Sequence, residues 1–291
     1  TTALGNLALV GTGTLTLSGA NTYHGTTTIA SGATLNVANT SALQNSSVDF
    51  SNGALTFGST TTATAFGGLQ GSNASQNLAL TNTAGTPAAV ALTVGGNGAT
   101  TTYAGTLSGS GSLTKNGAGT LTLSGANTYT GSTSVGAGTL TLTNALGTSG
   151  TPSGAITLAQ NATTLNISNA TVYASSLANS NTGNSSVVNI SGTSAVTLSG
   201  GLNINNNNGA SLGFVNFTGG TVTANSVSIG RSFANFGGGV LAGNAGEGLY
   251  INGGALNITT TLTLGSSSNS SANMRLDSGS CPAVVNHAAE T

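Results

Sequence analysis

The segment Gly11-Thr-Gly-Thr-Leu-Thr-Leu-Ser-Gly-Ala-Asn-Thr-Tyr-His-Gly25 returns as Gly117-Ala-Gly-Thr-Leu-Thr-Leu-Ser-Gly-Ala-Asn-Thr-Tyr-Thr-Gly131, an offset of 106 residues (117 − 11). Thirteen of the fifteen positions are identical, and the match extends upstream from Gly5 and Leu7 to Gly111 and Leu113. Recurrence at this scale is the mark of repeat architectures, in which a unit buries its apolar face only by stacking on its neighbours.

Within and between the two copies one short pattern recurs: an apolar residue, a small polar one, then another apolar residue. It runs through Leu15-Thr16-Leu17, Leu35-Asn36-Val37, Leu55-Thr56-Phe57, Leu78-Ala79-Leu80, Leu92-Thr93-Val94, Leu121-Thr122-Leu123 and Leu140-Thr141-Leu142. It continues through Ile156-Thr157-Leu158, Leu165-Asn166-Ile167, Val196-Thr197-Leu198, Leu202-Asn203-Ile204, Val227-Ser228-Ile229, Leu256-Asn257-Ile258 and Leu262-Thr263-Leu264. A period of two sends the apolar side chains to one face of a strand and Thr, Asn or Ser to the other. No stretch follows a 3.6-residue period, so no helix is expected. The strands are separated by Gly-, Asn- and Ser-rich breaks such as Ser18-Gly19-Ala20-Asn21, Asn52-Gly53 and Gly219-Gly220, residue types that suit sharp corners. Short strands and frequent turns fit a sandwich or a solenoid, and the recurrence favours the solenoid. The expected fold is all-β, a right-handed parallel β-helix with coils of about 20 residues. It is expected to run through residues 1–279 as one continuous solenoid, followed by an irregular tail at 280–291.

Composition narrows what such a solenoid can do. Only seven of 291 residues are Lys, Arg, Asp or Glu, whereas 37% are hydrophobic. Lys115, Arg231 and Arg275 are far apart, so there is no basic cluster for nucleic acid. No apolar run reaches the roughly 18 residues of a transmembrane helix. The chain opens Thr-Thr-Ala, without the basic and apolar regions of a signal peptide, as expected of a mature or excised segment. Cys281 is the only cysteine, which removes a disulfide framework and leaves an incidental thiol or an intermolecular bridge as its readings.

The repeated segment resembles the autotransporter-associated β-strand repeat of bacterial autotransporter passengers and other large bacterial surface proteins, with residues 5–37 and 111–142 carrying the likeness. The resemblance implies a right-handed parallel β-helix exported to the cell surface or beyond, with roles in adhesion, aggregation or the envelope. It brings no catalytic residues and no cofactor. A translocator barrel is not seen, and the stretch from Cys281 to Thr291 abandons the repeat pattern.

Candidate sites are few. Gly19, Asn21, Tyr23 and Gly25 in the first copy, and Gly125, Asn127, Tyr129 and Gly131 in the second, read as corner residues. The Asn side chain is expected to cap backbone groups and the Tyr ring to cover the corner. Exposed Tyr rings could instead stack on glycans. Outward threonines, such as Thr14 with Thr16 and Thr120 with Thr122, could present an ice- or glycan-binding face, although the outward residue also changes to Asn, Ala and Ser along the chain. Gly209-Ala-Ser211-Leu-Gly213 matches a nucleophile elbow, with Asp277 and His287 following in Ser–Asp–His order, but no helix is expected after Ser211 to strain it. His24 and His287 are the only imidazoles, and Asp49, Glu247, Asp277 and Glu290 are scattered, which leaves no metal or paired-carboxylate pattern. The expected function is a non-catalytic structural or adhesive surface element. Its expected partners are itself, end to end or laterally, or further solenoid repeats, with surface glycans as a further option.

Overall fold

The computed structural model describes residues 5–159, 162–179, 186–204, 213–229, 249–264 and 274–280. Among them are twenty-five strands and no helix, and the strand ladders are parallel. The chain divides into two compact units, Thr1–Ser153 and Gly154–Thr291. Each is a parallel β-solenoid.

In the first unit the register gives the coil length directly. Leu7 pairs with Thr27, Thr27 with Val48 and Val48 with Leu69, so each of these coils takes about 20 residues, as the repeat class leads one to expect. The next step, from Gly71 to Tyr103, is half as long again, because the chain doubles back through an antiparallel bridge between Thr81 and Ala89. The ordinary length then returns, from Thr101 to Leu121 and on to Leu140. A second ladder joins Gly13–Leu17, Ala33–Val37 and Ala54–Phe57. A third joins Ala63–Phe66, Ala91–Val94, Ser112–Lys115 and Thr133–Val135.

The long coil changes the phase of the repeat. Leu7 of the first copy stands on the ladder that leads to Leu121, whereas its equivalent Leu113 stands on the ladder of Leu92 and Thr133. The two copies therefore share a sequence without sharing a face of the solenoid.

Alternation along each strand builds the core. Leu35, Val37, Leu113, Leu121, Leu140 and Leu142 point inward and are buried, each contributing on the order of 1.5–3 kcal/mol. Coils approach so closely at the corners that a side chain is excluded there. A β-carbon on Gly125 would lie 2.0 Å from the carbonyl oxygen of Gly105 in the preceding coil.

The second unit departs from the expected coil length. Leu165 pairs with Val188, Val188 with Val215 and Val215 with Leu249, each step longer than the one before it. Bulges between Leu198 and Gly201 and between Ala224 and Ser226 let one strand carry two of the apolar triplets read separately above. On its outer face Asn166, Asn189 and Asn216 stack in register. Asn189 Nδ2 donates to Asn166 Oδ1 at 2.9 Å, and Asn216 Nδ2 to Asn189 Oδ1 at 3.0 Å.

Equivalent glycines of the two copies should respond differently to the same substitution. Gly125→Ala drives a methyl into Gly105 and should cost about 2 kcal/mol or more. Gly19 has nothing within 4 Å of its β-carbon position, so Gly19→Ala should stay within about 0.5 kcal/mol of the parent. Urea denaturation of both variants checks the difference.

Candidate functional site

The corner residues of the second copy are fully engaged. Asn127 Oδ1 accepts the Leu107 backbone N–H at 2.9 Å from the preceding coil, while Asn127 Nδ2 donates to the Gly125 carbonyl at 2.8 Å. One amide side chain thus closes its own turn and ties two coils together. Tyr129 is completely buried, and its hydroxyl meets Thr133 Oγ1 at 2.6 Å. With no exposed ring face, Tyr129 is not a platform for sugars.

The first copy uses the same residues with fewer neighbours. Asn21 Nδ2 donates to the Ala42 carbonyl at 3.0 Å, in the following coil. Tyr23, only half-buried, meets Thr27 Oγ1 at 2.8 Å. Thr27 passes the network inward to Ser46 Oγ at 2.8 Å, and Ser46 Oγ donates to the Gly25 carbonyl at 2.7 Å. The Tyr-x-x-x-Thr spacing common to both copies is the sequence signal of this bond. Gly25 and Gly131 are seats of close approach, since a β-carbon would lie 2.1 Å from Asn6 Oδ1 and 2.2 Å from the Gly111 carbonyl oxygen, respectively. His24 is exposed.

The chemically most unusual residue is Lys115. It occupies an inward position of Ser112–Lys115, where Leu113 points in, Thr114 out and Lys115 in. Its equivalent in the first copy is Leu9, so a cation stands where the other repeat has a hydrocarbon. Lys115 is 1% exposed. A buried ammonium is costly unless every N–H finds an acceptor. Here Nζ donates to the carbonyls of Asn116 at 2.8 Å, Gly117 at 2.8 Å and Ala137 at 3.1 Å. Three donors meet three acceptors, and the last acceptor belongs to the next coil. The alternation Leu113-Thr114-Lys115 is the signal that could have placed this lysine inside.

The remaining candidates do not gather. Asp49 receives a bond from Ser51 Oγ at 2.5 Å and lies far along the chain from Lys115. Among the described residues no group of three His, Cys, Asp or Glu could hold a metal ion, and no helix is long and apolar enough to cross a membrane. Ser211, His287, Cys281, Arg231, Glu247 and Glu290 lie outside the described residues, as do the side chains of Asp277 and Arg275.

Burial gives this interior a pH response above neutrality. Desolvation lowers the Lys115 ammonium from 10.5 to about 8. The folded chain then binds this proton less firmly than the unfolded chain, so stability rises as pH climbs from about 8 towards 10.5. Desolvation raises the Tyr103 and Tyr129 phenols well above 10, against the opposing bonds from Leu78 and Thr133. Their contribution is complete below pH 10 and is lost at higher pH. The urea midpoint should therefore rise between pH 8 and 10 and fall beyond it. Lys115→Met should abolish the rise and keep the fall; a Lys115→Met profile that parallels the parent would refute this assignment.

Two segments of the chain, residues 7–37 and 113–142, match the family model of the passenger-associated-transport-repeat. No curated protein and no solved structure matches. The matched segments are the two copies whose corners and inward lysine are described above. The chain carries two passenger-associated-transport-repeats within a parallel β-solenoid, consistent with an autotransporter passenger repeat protein.

Proposed function

We propose that this chain is a non-catalytic structural segment of a bacterial passenger, secreted or displayed at the cell surface, where it acts in adhesion. The observation that carries the reading is the use made of the repeats' polar residues. Asn127, Tyr129 and Lys115 all turn inward and spend their hydrogen bonds on the coils themselves. The repeat thus supplies shape and rigidity, and leaves an outer face of small uncharged side chains. Such a face suits contact with many surfaces through shape and hydrogen bonding more than through charge. Bacteria displaying this chain on a heterologous translocator should adhere to abiotic or host surfaces several-fold better than cells displaying an unrelated passenger. Equal adhesion by the two strains would sink the adhesive role.

One observation favours a second reading, binding of ice. Thr102, Thr122 and Thr141 stand in register on three successive coils, beside the paired Thr120 and Thr139. Parallel pairing sets such rows about 4.8 Å apart, with threonines i and i+2 about 6.6 Å apart. This local grid is more regular than the outward positions of the chain as a whole. Thermal hysteresis from the purified chain that disappears in Thr122→Lys would support the reading, and its absence from the parent would remove it.

A further inference from the structure

An Asn-Gly pair is prone to close on itself, because a glycine amide, unscreened by a β-carbon, can reach the carboxamide carbon of the asparagine before it. Three such pairs stand outside the strands of the first unit: Asn52-Gly53, Asn97-Gly98 and Asn116-Gly117. All three asparagines are exposed, so access to water does not separate them. Their glycine amides do. The Gly53 N–H donates to the Ile29 carbonyl at 3.0 Å, and the Gly98 N–H to the Gly95 carbonyl at 2.9 Å. The Asn97 carboxamide is also held at both ends, donating to Ser47 Oγ at 2.9 Å and accepting the Ala99 N–H at 3.0 Å. Among the described residues the Gly117 N–H has no acceptor and the Asn116 side chain has no partner.

Lys115 adds what the other two pairs lack. Its ammonium donates to the Asn116 backbone carbonyl at 2.8 Å. That oxygen and the Gly117 nitrogen are the two ends of one peptide group. A charge-assisted bond to the oxygen therefore draws electron density from the nitrogen and stabilises the anion left when its proton departs. Loss of that proton is the step that turns the amide into a nucleophile. Burial lowers the Lys115 ammonium to about 8, so it stays charged at neutral pH while holding its proton less tightly than an ordinary lysine. Its three bonds go to the carbonyls of Asn116, Gly117 and Ala137, so neither Asn52 nor Asn97 receives one.

We propose that Asn116 is a self-modification site, at which the Gly117 amide, activated by Lys115, displaces the side-chain nitrogen and converts the asparagine to aspartate and isoaspartate. The Gly117 nitrogen gives its proton to water or a buffer base and bonds to Asn116 Cγ. The Cγ–Nδ2 bond breaks, Nδ2 takes up a proton and leaves as ammonia, and a cyclic succinimide remains. Water then adds to one of the two imide carbonyls and the ring opens. Addition at one carbonyl gives aspartate; addition at the other gives isoaspartate, in which the main chain runs through the side-chain carbon. Overall one water enters, one ammonia leaves, and nothing is oxidised or reduced. The product places a new carboxylate beside Lys115, in a chain with only four Asp and Glu. Isoaspartate also lengthens the backbone by one carbon at a crowded corner, where a β-carbon on Gly117 would lie 1.9 Å from the Gly95 carbonyl oxygen. The modified coil has to shift away from the coil before it.

Incubation of the purified full chain at neutral pH tests the proposal, with each asparagine followed by peptide mass mapping and electron-transfer fragmentation to separate isoaspartate from aspartate. In the folded chain Asn116 should convert at least tenfold faster than Asn52 and Asn97. In urea, which releases the Gly53 and Gly98 amides and frees Lys115, the three rates should converge. Lys115→Met, checked as folded by far-UV circular dichroism, should slow Asn116 several-fold and leave Asn97 at the parent's rate. Should that variant fold poorly, the ratio of Asn116 to Asn97 in the parent, folded against urea, decides alone. Equal rates at the three sites in the folded parent overturn the proposal, as does an Asn116 rate unchanged in folded Lys115→Met.

Discussion

Everything in this chain depends on parallel backbone pairing between successive coils at the ladder spacing of about 4.8 Å. Each coil is too thin to enclose a core of its own, so it becomes stable only when its inward residues meet those of the coils before and after it. That dependence explains the glycines at closest approach. At Gly125 and Gly131 the backbone of one coil fills the space that a side chain would occupy on the next. It also explains the buried leucines of the second repeat copy and the half-buried leucines of the first, which differ in neighbours and hardly at all in sequence.

Much of this was legible in the residues. The apolar-polar-apolar triplets fall within strands, and where Leu78-Ala79-Leu80 runs past its strand, which ends at Ala79, Leu80 is still fully buried. Several strands outside those triplets place a polar residue inward. Thr27, Ser46, Thr64, Thr101 and Thr133 are all buried, in Thr26–Ile29, Leu43–Asp49, Ala63–Gln70, Thr101–Tyr103 and Thr133–Val135. An alternation rule that counts only hydrocarbon as inward passes over them, because a hydroxyl is inward-compatible only when a partner is waiting. Tyr23, Ser46 and Tyr129 are such partners, and they come from other strands or from corners.

The phase of the repeat was illegible for a different reason. The offset between the two copies is close to a whole number of ordinary coils, which would set them on one face. The single long coil between Gly71 and Tyr103 breaks that arithmetic. It does so through a local reversal, Thr81 against Ala89, a stretch that holds Pro87 and is otherwise built from the same Thr, Asn, Ala and Gly as the rest of the chain. Sequence periodicity measures length along the chain, whereas phase around a solenoid depends on where each coil chooses to turn. The same distinction separates the short coils of the first unit from the lengthening coils of the second, where added residues leave the registers of Val188, Val215 and Leu249 intact.

Lys115 shows how a nearly uncharged chain uses one of its rare charges. On the surface a lysine would have gained little from any neighbour, since exposed ion pairs contribute about 1 kcal/mol or less. Inside, the same ammonium gathers three carbonyls at a corner, and one of them, from Ala137, belongs to the adjoining coil. The equivalent position in the first copy holds a leucine, the half-buried Leu9. Where coils close on both sides, orphaned carbonyls have no solvent to turn to, and a three-donor cation resolves them better than any neutral side chain can. Val94 and Val135, in register with Lys115 on the coils to either side, are fully buried without a charge, so the lysine answers the carbonyls of its own corner and not burial alone.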